Sequence, residues 1–91
     1  MNFLITDSHC HLGSHKFTAD EIPEIIARAK EAGVHRMITL ATDEADLDTN
    51  LRIAETHPEV SACIGIHPCD VHTTRNDFES MLMPHLDNPN V

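Results

Sequence analysis

Apolar segments of strand length alternate along this 91-residue chain with segments that carry the apolar spacing of a helix. The strand-length segments are residues 3–8, 37–41 and 60–66, and the second and third are apolar almost throughout. Strands of this kind have both faces buried, as in parallel sheets covered by helices. The order predicts an α/β fold built of three successive βα units, because crossovers between parallel strands need an intervening helix.

The first predicted helix runs from Glu21 to Ala32, and Gly33 follows it as the residue after the C-cap. Asp20 is the expected N-cap, because it leaves Pro23 inside the first turn, where a missing N–H costs nothing. A cap at Thr18, with Glu21 as its capping-box partner, would place Pro23 too deep in the helix.

Two further helices are predicted after strands 2 and 3. The second is capped by Asp43 or Thr42 and ends near Thr56, before His57-Pro58. The third, weaker one covers about residues 76–83 and ends at Pro84. The side chains expected to face the core are Leu47, Leu51 and Ala54 in the second helix, and Phe78, Met81 and Leu82 in the third.

Charge and aromatic content narrow the possible partners. Six Lys and Arg against fifteen Asp and Glu give a net charge of −9, which leaves no basic stripe for a phosphate backbone. There is no Trp or Tyr, and three Phe make a base-stacking platform improbable. If the protein handles nucleic acid, bound cations must supply the positive charge.

The sequence predicts a cytoplasmic protein with no membrane partner. The start lacks a basic segment and a long apolar stretch, and nothing approaches the ~20 apolar residues of a membrane span. Three cysteines, Cys10, Cys63 and Cys69, show no CxxC spacing. Two of them lie in or beside apolar segments, which suits reduced, partly buried thiols.

Three histidines are expected at one edge of the sheet. His9 and His11 lie just past strand 1, and His67 follows strand 3; the carboxyl ends of parallel strands share an edge, where binding sites gather. Side chains alternate along an extended chain, so His9 and His11 project to the same side together with Asp7. Two imidazoles in this arrangement can bind one zinc-like ion, with Asp7 as an orienting carboxylate or a further ligand. Strand 2 delivers Thr42 and Asp43 to the same edge.

Two other interpretations of the histidines stay open. The segment "HPCDVH" could hold a structural zinc through His67, Cys69 and His72, together with Cys10 or His11, although the spacing matches no regular zinc finger. The remaining histidines are expected to be solvated surface residues: His15, His35, His57, His72 and His85.

Three motifs carry a resemblance to a known family. "DSHCHL" near the start, "RAKEAGV" at the end of helix 1 and "GIHP" after strand 3 resemble the TatD-type metal-dependent deoxyribonucleases, which belong to the amidohydrolase-like barrels. The resemblance covers essentially the whole chain. One departure follows the first motif: Gly13 stands where members often have Asp, which affects the loop after strand 1.

This resemblance implies a fold, a cofactor and a role for each histidine. Residues 1–91 would be the N-terminal portion of the domain, the first three units of a (β/α)8 TIM-type barrel, which typically needs ≈ 250 residues. The complete site would hold two divalent ions, Mg, Mn or Zn, and would cleave phosphodiester bonds in a DNA substrate. His9 and His11 would be metal ligands, and His67 would contact the substrate phosphate.

The later ligands of such a site, a Glu, two His and an Asp, have no counterparts before Val91. The resemblance therefore implies that this chain alone is inactive, with open sheet edges through which it self-associates. Two alternatives remain: an amidohydrolase-like hydrolase of amides or esters, and a non-catalytic βα interaction module.

Overall fold

Three parallel strands form one sheet in the computed structural model, which describes residues 4–73 and 78–91. The strands are β1 (Ile5–Cys10), β2 (Val34–Leu40) and β3 (Val60–Cys63), in the spatial order β1-β2-β3. β2 is central because it pairs with both neighbours. The predicted parallel α/β architecture is confirmed.

Helices α1 (Ile22–Glu31) and α2 (Glu44–Thr56) connect the strands, and a short helix α3 (Phe78–Leu82) follows β3. Three 3-10 segments complete the described elements: Ala19–Glu21, Pro68–Thr73 and Met83–His85. No helix in the described part of the chain is both long and apolar enough to cross a membrane.

The start of α1 differs from the prediction. Asp20 is not the cap; Thr18 and Glu21 form the capping box that had been rejected, and this box caps the 3-10 turn Ala19–Glu21 instead of the α-helix. The turn separates Thr18 from α1, so Pro23 still falls in the first α-helical turn. The prediction was wrong because it allowed for a single continuous helix.

Gly33 ends the α1 segment as predicted. Its φ of 101° lies in the left-handed region that favours glycine. Its carbonyl then accepts the Ile5 N–H at 3.0 Å, which ties the end of the helical segment to the start of β1.

The core lies between the helices and one face of the sheet. Met37 and Thr39 of β2 and Ala41 directly after it alternate along the chain and point to this layer, each less than a tenth exposed. The stripe predicted for α2 is confirmed, since Leu47, Leu51 and Ala54 are all buried. The other buried apolar side chains are Leu12, Ile22, Ile26, Ile53, Val60 and Ala62.

The boundaries of all three strands differ from the predictions. β2 runs from Val34 to Leu40 instead of over residues 37–41. β1 extends to Cys10, which pairs with Thr39 of β2, so His9 lies inside the strand and only His11 follows it. The predicted start at Phe3 lies outside the described residues. β3 ends at Cys63 instead of residue 66, and the chain then turns so that the His67 N–H reaches the Thr42 carbonyl at 2.7 Å.

The C-terminal segment packs less than predicted. Phe78 is 41% exposed, so its predicted inward position is wrong, whereas Met81 and Leu82 do pack against the core. The part of the predicted third helix before Phe78 falls outside the described residues. At the end of the chain, the Asn90 carbonyl accepts the Ala62 N–H of β3 at 2.7 Å, so the tail meets the sheet edge along β3.

Candidate metal centre

The carboxyl ends of the strands surround a cavity of about 480 Å³. The structure brings all three candidate histidines to this cavity: His9 from β1, His11 just after β1, and His67 from the turn after β3. The parallel arrangement explains the convergence, because each strand delivers its last residues to the same edge. The other lining residues are Leu40, Ala41, Thr42, Cys63, Ile64, Gly65, Ile66 and Asp70.

The rings of His9 and His11 are neighbours at this edge of the sheet. Their centres are 5.2 Å apart, and their planes are inclined by 75°. A metal–nitrogen distance of about 2.0–2.1 Å, added to the size of the ring, puts two imidazoles on one tetrahedral ion roughly 5 Å apart, centre to centre. The spacing of the two rings is therefore the spacing expected of two histidines that share one divalent ion such as zinc.

The backbone assigns a protonation form to His11. Its Nδ1 lies 3.2 Å from the carbonyl oxygen of Leu40, which can only accept, so Nδ1 carries the proton. In the neutral ring Nε2 then keeps its lone pair free, as metal-binding histidines do when the other nitrogen donates to a carbonyl. Among the described residues the ring nitrogens of His9 have no hydrogen-bond partner.

His67 has the opposite arrangement. Its Nδ1 accepts the backbone N–H of Cys69 at 3.0 Å, so the proton of the neutral ring is on Nε2. His67 thus presents an N–H donor, which suits an anionic oxygen, whereas His11 presents a lone pair, which suits a cation.

The carboxylates at this edge are arranged differently from the prediction. Asp7 does not orient a histidine ring; its Oδ1 accepts the backbone N–H of His9 at 3.0 Å. Asp43 turns away and caps α2, so that of the two strand 2 residues only Thr42 lines the cavity. Asp70, which the sequence did not single out, lines it because the 3-10 turn after His67 returns it to the edge.

The alternative zinc cluster is not formed. In the described ranges 4–73 and 78–91, no three His, Cys, Asp or Glu side chains come together in a way that could hold a metal ion. A larger groove of about 660 Å³ lies between α2 and the loop after β1, and its lining includes none of His9, His11 and His67. Of the five histidines expected at the surface, His57 and His85 are instead half-buried.

The three cysteines are free, but only one is partly buried. Cys63 and Cys69 are exposed, so that one thiol is partly buried where two were expected, because β3 ends at Cys63 and Cys69 lies in the turn beyond it. Burial raises the pKa of the Cys10 thiol to about 11, and the negative charge of Asp7 adds to the shift. Cys10 Sγ donates to the Ile38 carbonyl at 3.4 Å.

The sequence is similar to those of known proteins. Residues 6–90 match the family model described as TatD related DNase. The chain is 31% identical over 86 residues to the 3'-5' ssDNA/RNA exonuclease TatD of Edwardsiella piscicida, covering 93% of this chain and 33% of that protein. It is 36% identical over 62 residues to YjjV of Escherichia coli strain K12, an uncharacterized metal-dependent hydrolase, covering 68% and 24%.

The fold is also similar to a solved structure. The crystal structure of the TatD homologue YjjV superposes with a TM-score of 0.83 at 27% identity, covering 100% of this chain and 35% of that one. The chain therefore spans about a third or less of the length of each of these relatives. Its three βα units correspond to part of a barrel, and the sheet is not closed.

Proposed function

Because the chain belongs to the family of TatD-related DNases, we propose that it forms the first part of a divalent-metal-dependent hydrolase site that cleaves phosphodiester bonds in DNA. His9 and His11 are the proposed metal ligands, and His67 is the proposed catalytic contact to the phosphate. The observation that carries this proposal is the convergence of three histidines on one cavity with opposite protonation forms at His11 and His67.

Each residue has a separate task in this proposal. His9 and His11 would hold a divalent ion, which would supply an activated water and positive charge against the phosphate. His11 is held by the Leu40 carbonyl with Nε2 free to bind, and His9 is 5.2 Å away, ring to ring. His67, fixed by the Cys69 N–H, donates from Nε2 to a phosphate oxygen. Bound cations would also allow a chain with a net charge of −9 to approach the negatively charged phosphate backbone.

The names of the relatives support the class of substrate and cofactor. One acts on single-stranded DNA and RNA, and another is a metal-dependent hydrolase. Mg, Mn or Zn at a site for two ions, and a DNA substrate for a longer chain, remain our proposals. A cytoplasmic location also stays a prediction, and the three free thiols support it.

Metal binding by the 91-residue chain tests the proposal directly. We expect calorimetric titration with Zn²⁺ to show binding that His9→Ala and His11→Ala both abolish. His15→Ala is the matched control, because His15 is exposed and does not line the cavity that His9, His11 and His67 share. Zinc binding that is absent, or unchanged in both cavity variants, would contradict the proposal and favour the interaction-module alternative.

Hydrolysis needs more ligands than this chain supplies, since two histidines cannot hold two catalytic ions. We therefore expect no cleavage of single-stranded DNA by the 91-residue chain in Mg²⁺, Mn²⁺ or Zn²⁺. Cleavage that His11→Ala removes would show that the chain is sufficient by itself. Cleavage of amides or esters in place of DNA would favour the amidohydrolase-like alternative.

A further inference from the structure

The amide of Asn50 is fully buried in α2, at the centre of a polar network behind the metal centre. Its Oδ1 accepts the backbone N–H of Gly13 at 3.1 Å and the hydroxyl of Thr39. Its Nδ2 donates to the Asp46 carbonyl at 2.9 Å and, at the longer distance of 3.5 Å, to the Leu40 carbonyl. All the polar atoms of this side chain are thus used, as burial requires.

Two of these contacts connect Asn50 to the surroundings of His11. Gly13 is two residues beyond His11 in the loop, and Leu40 supplies the carbonyl to which His11 Nδ1 donates. The same carbonyl oxygen therefore receives both the imidazole and the Asn50 amide. Thr39, another partner of Asn50, accepts the Leu12 N–H with its hydroxyl oxygen at 2.9 Å. Leu12, which lies between His11 and Gly13, is therefore held in place as well.

We propose that Asn50 is a positioning residue for His11, which fixes the loop and the ring orientation of this metal ligand without touching the ion. The inference rests on the proposed function, because it assigns the network to the ligand role of His11. An amide suits this task because it accepts from the loop N–H and donates to the strand carbonyl at once. Hydrophobic packing alone could hold α2 against the sheet, but it could not fix the direction of either backbone group.

The loop is adapted to this amide. A Cβ on Gly13 would lie 2.7–2.8 Å from the side-chain atoms of Asn50, closer than Cβ atoms approach a neighbour. Gly13 has no positive φ, so the glycine is required by the closeness of Asn50 and not by the backbone conformation. Gly13 and Asn50 therefore act as a matched pair.

Two measurements on the 91-residue chain test the role of Asn50. In the metal-free protein, ¹⁵N–¹H correlation of the imidazoles reports which nitrogen of His11 carries the proton. We expect mainly the Nδ1–H form in the unmodified chain and a shift toward Nε2–H in Asn50→Ala. Titration with Zn²⁺ should show an affinity about 10–100-fold lower in that variant, the range found when a partner behind a metal ligand is removed.

Ile53→Val is the matched control, because Ile53 is buried in the same helix and has no part in the network. It should lower stability but leave the His11 tautomer and the Zn²⁺ affinity unchanged. If Asn50→Ala does not fold, Asn50→Ser, which keeps a hydroxyl in the same space, replaces it.

The outcomes separate this inference from the proposed function. An unchanged tautomer and affinity in the Asn50 variant, or equal changes in Ile53→Val, would overturn the positioning role alone. Zinc binding that is unchanged in His9→Ala and His11→Ala would overturn the proposed metal site. The tautomer measurement would then still decide whether Asn50 orients His11.

Discussion

At the scale of single residues, Gly13 has no room for a side chain. Gly13→Ala should destabilise the fold by about 1–3 kcal/mol, the usual cost of forcing an extra methyl into a packed site. The new Cβ would meet Asn50 side-chain atoms at 2.7–2.8 Å, and Asn50 is held by its other hydrogen bonds. Chemical denaturation followed by circular dichroism measures the effect.

Gly65→Ala is the control for that change. A Cβ at Gly65 would meet nothing within 4 Å, and Gly65 has no positive φ, so its substitution should be close to neutral. Equal stability of the two variants would show that the loop can move away from Asn50.

Cys10 should be the least reactive thiol of the chain. Burial, with a contribution from Asp7, raises its pKa from 9.0 to about 11, so at about pH 8 its thiolate fraction is roughly a hundredth of that of an ordinary thiol. We expect iodoacetamide to label exposed Cys63 and Cys69 well before Cys10, as peptide mass spectrometry can follow. Labelling of Cys10 should accelerate as the pH rises toward 11; equal rates at pH 8 would contradict the burial.

The histidines could be predicted from the sequence, but their surroundings could not. His9, His11 and His67 follow from strand order alone, because parallel strands end at a common edge. Asn50 reads in the sequence as one more polar residue of α2, and its role depends on Gly13, 37 positions away. The position of Asp70 at the cavity could not be predicted, because it depends on the 3-10 turn after His67.

At the scale of elements, the start of α2 is fixed by a reciprocal pair of carboxylates. Asp43 accepts the Asp46 N–H at 3.0 Å, and Asp46 accepts the Asp43 N–H at 3.1 Å. Asp43→Ala should cost about 1 kcal/mol, the typical value for loss of an N-cap. Thermal unfolding would measure it.

Asp48→Ala removes the same charge from an exposed position of the same helix and should have little effect. The two variants therefore separate the cap from the general effect of a lower negative charge. A similar loss of stability in both would mean that the cap contributes nothing of its own.

The elements themselves were predictable where apolar spacing and helix signals agreed. The buried stripe of α2 followed from the sequence, as did Gly33 at the end of α1, whereas the choice between Asp43 and Thr42 as the cap of α2 needed the structure, which has Asp43 there. Boundaries set by partners were not predictable: β3 stops where β2 ceases to pair with it, and β1 extends because Cys10 pairs with Thr39. Local sequence carries little information about such pairings.

At the scale of the whole molecule, the described chain has an open sheet. The edge of β1 away from β2 pairs with no other described strand, and at the outer edge of β3 the Ala62 N–H donates to the Asn90 carbonyl. Several large apolar side chains are exposed: Leu4, Ile5, Phe17, Val71, Phe78, Met83, Leu86 and Val91. Unpaired edges and exposed apolar surface favour association with other chains.

We expect the 91-residue chain to self-associate through the edge of β1. Sedimentation velocity should show a mass above the 10.1 kDa of the monomer that increases with protein concentration. Ile5→Lys should weaken this association, because Ile5 is half exposed in β1 and a lysine there opposes edge-to-edge pairing.

Ala27→Lys adds the same charge to the exposed face of α1, far from the edge in sequence and in a different element, and should leave the association unchanged. If the two lysine variants behave alike, net charge and not the strand edge governs association; a monomer at every concentration would show that the open edge is protected within the chain itself.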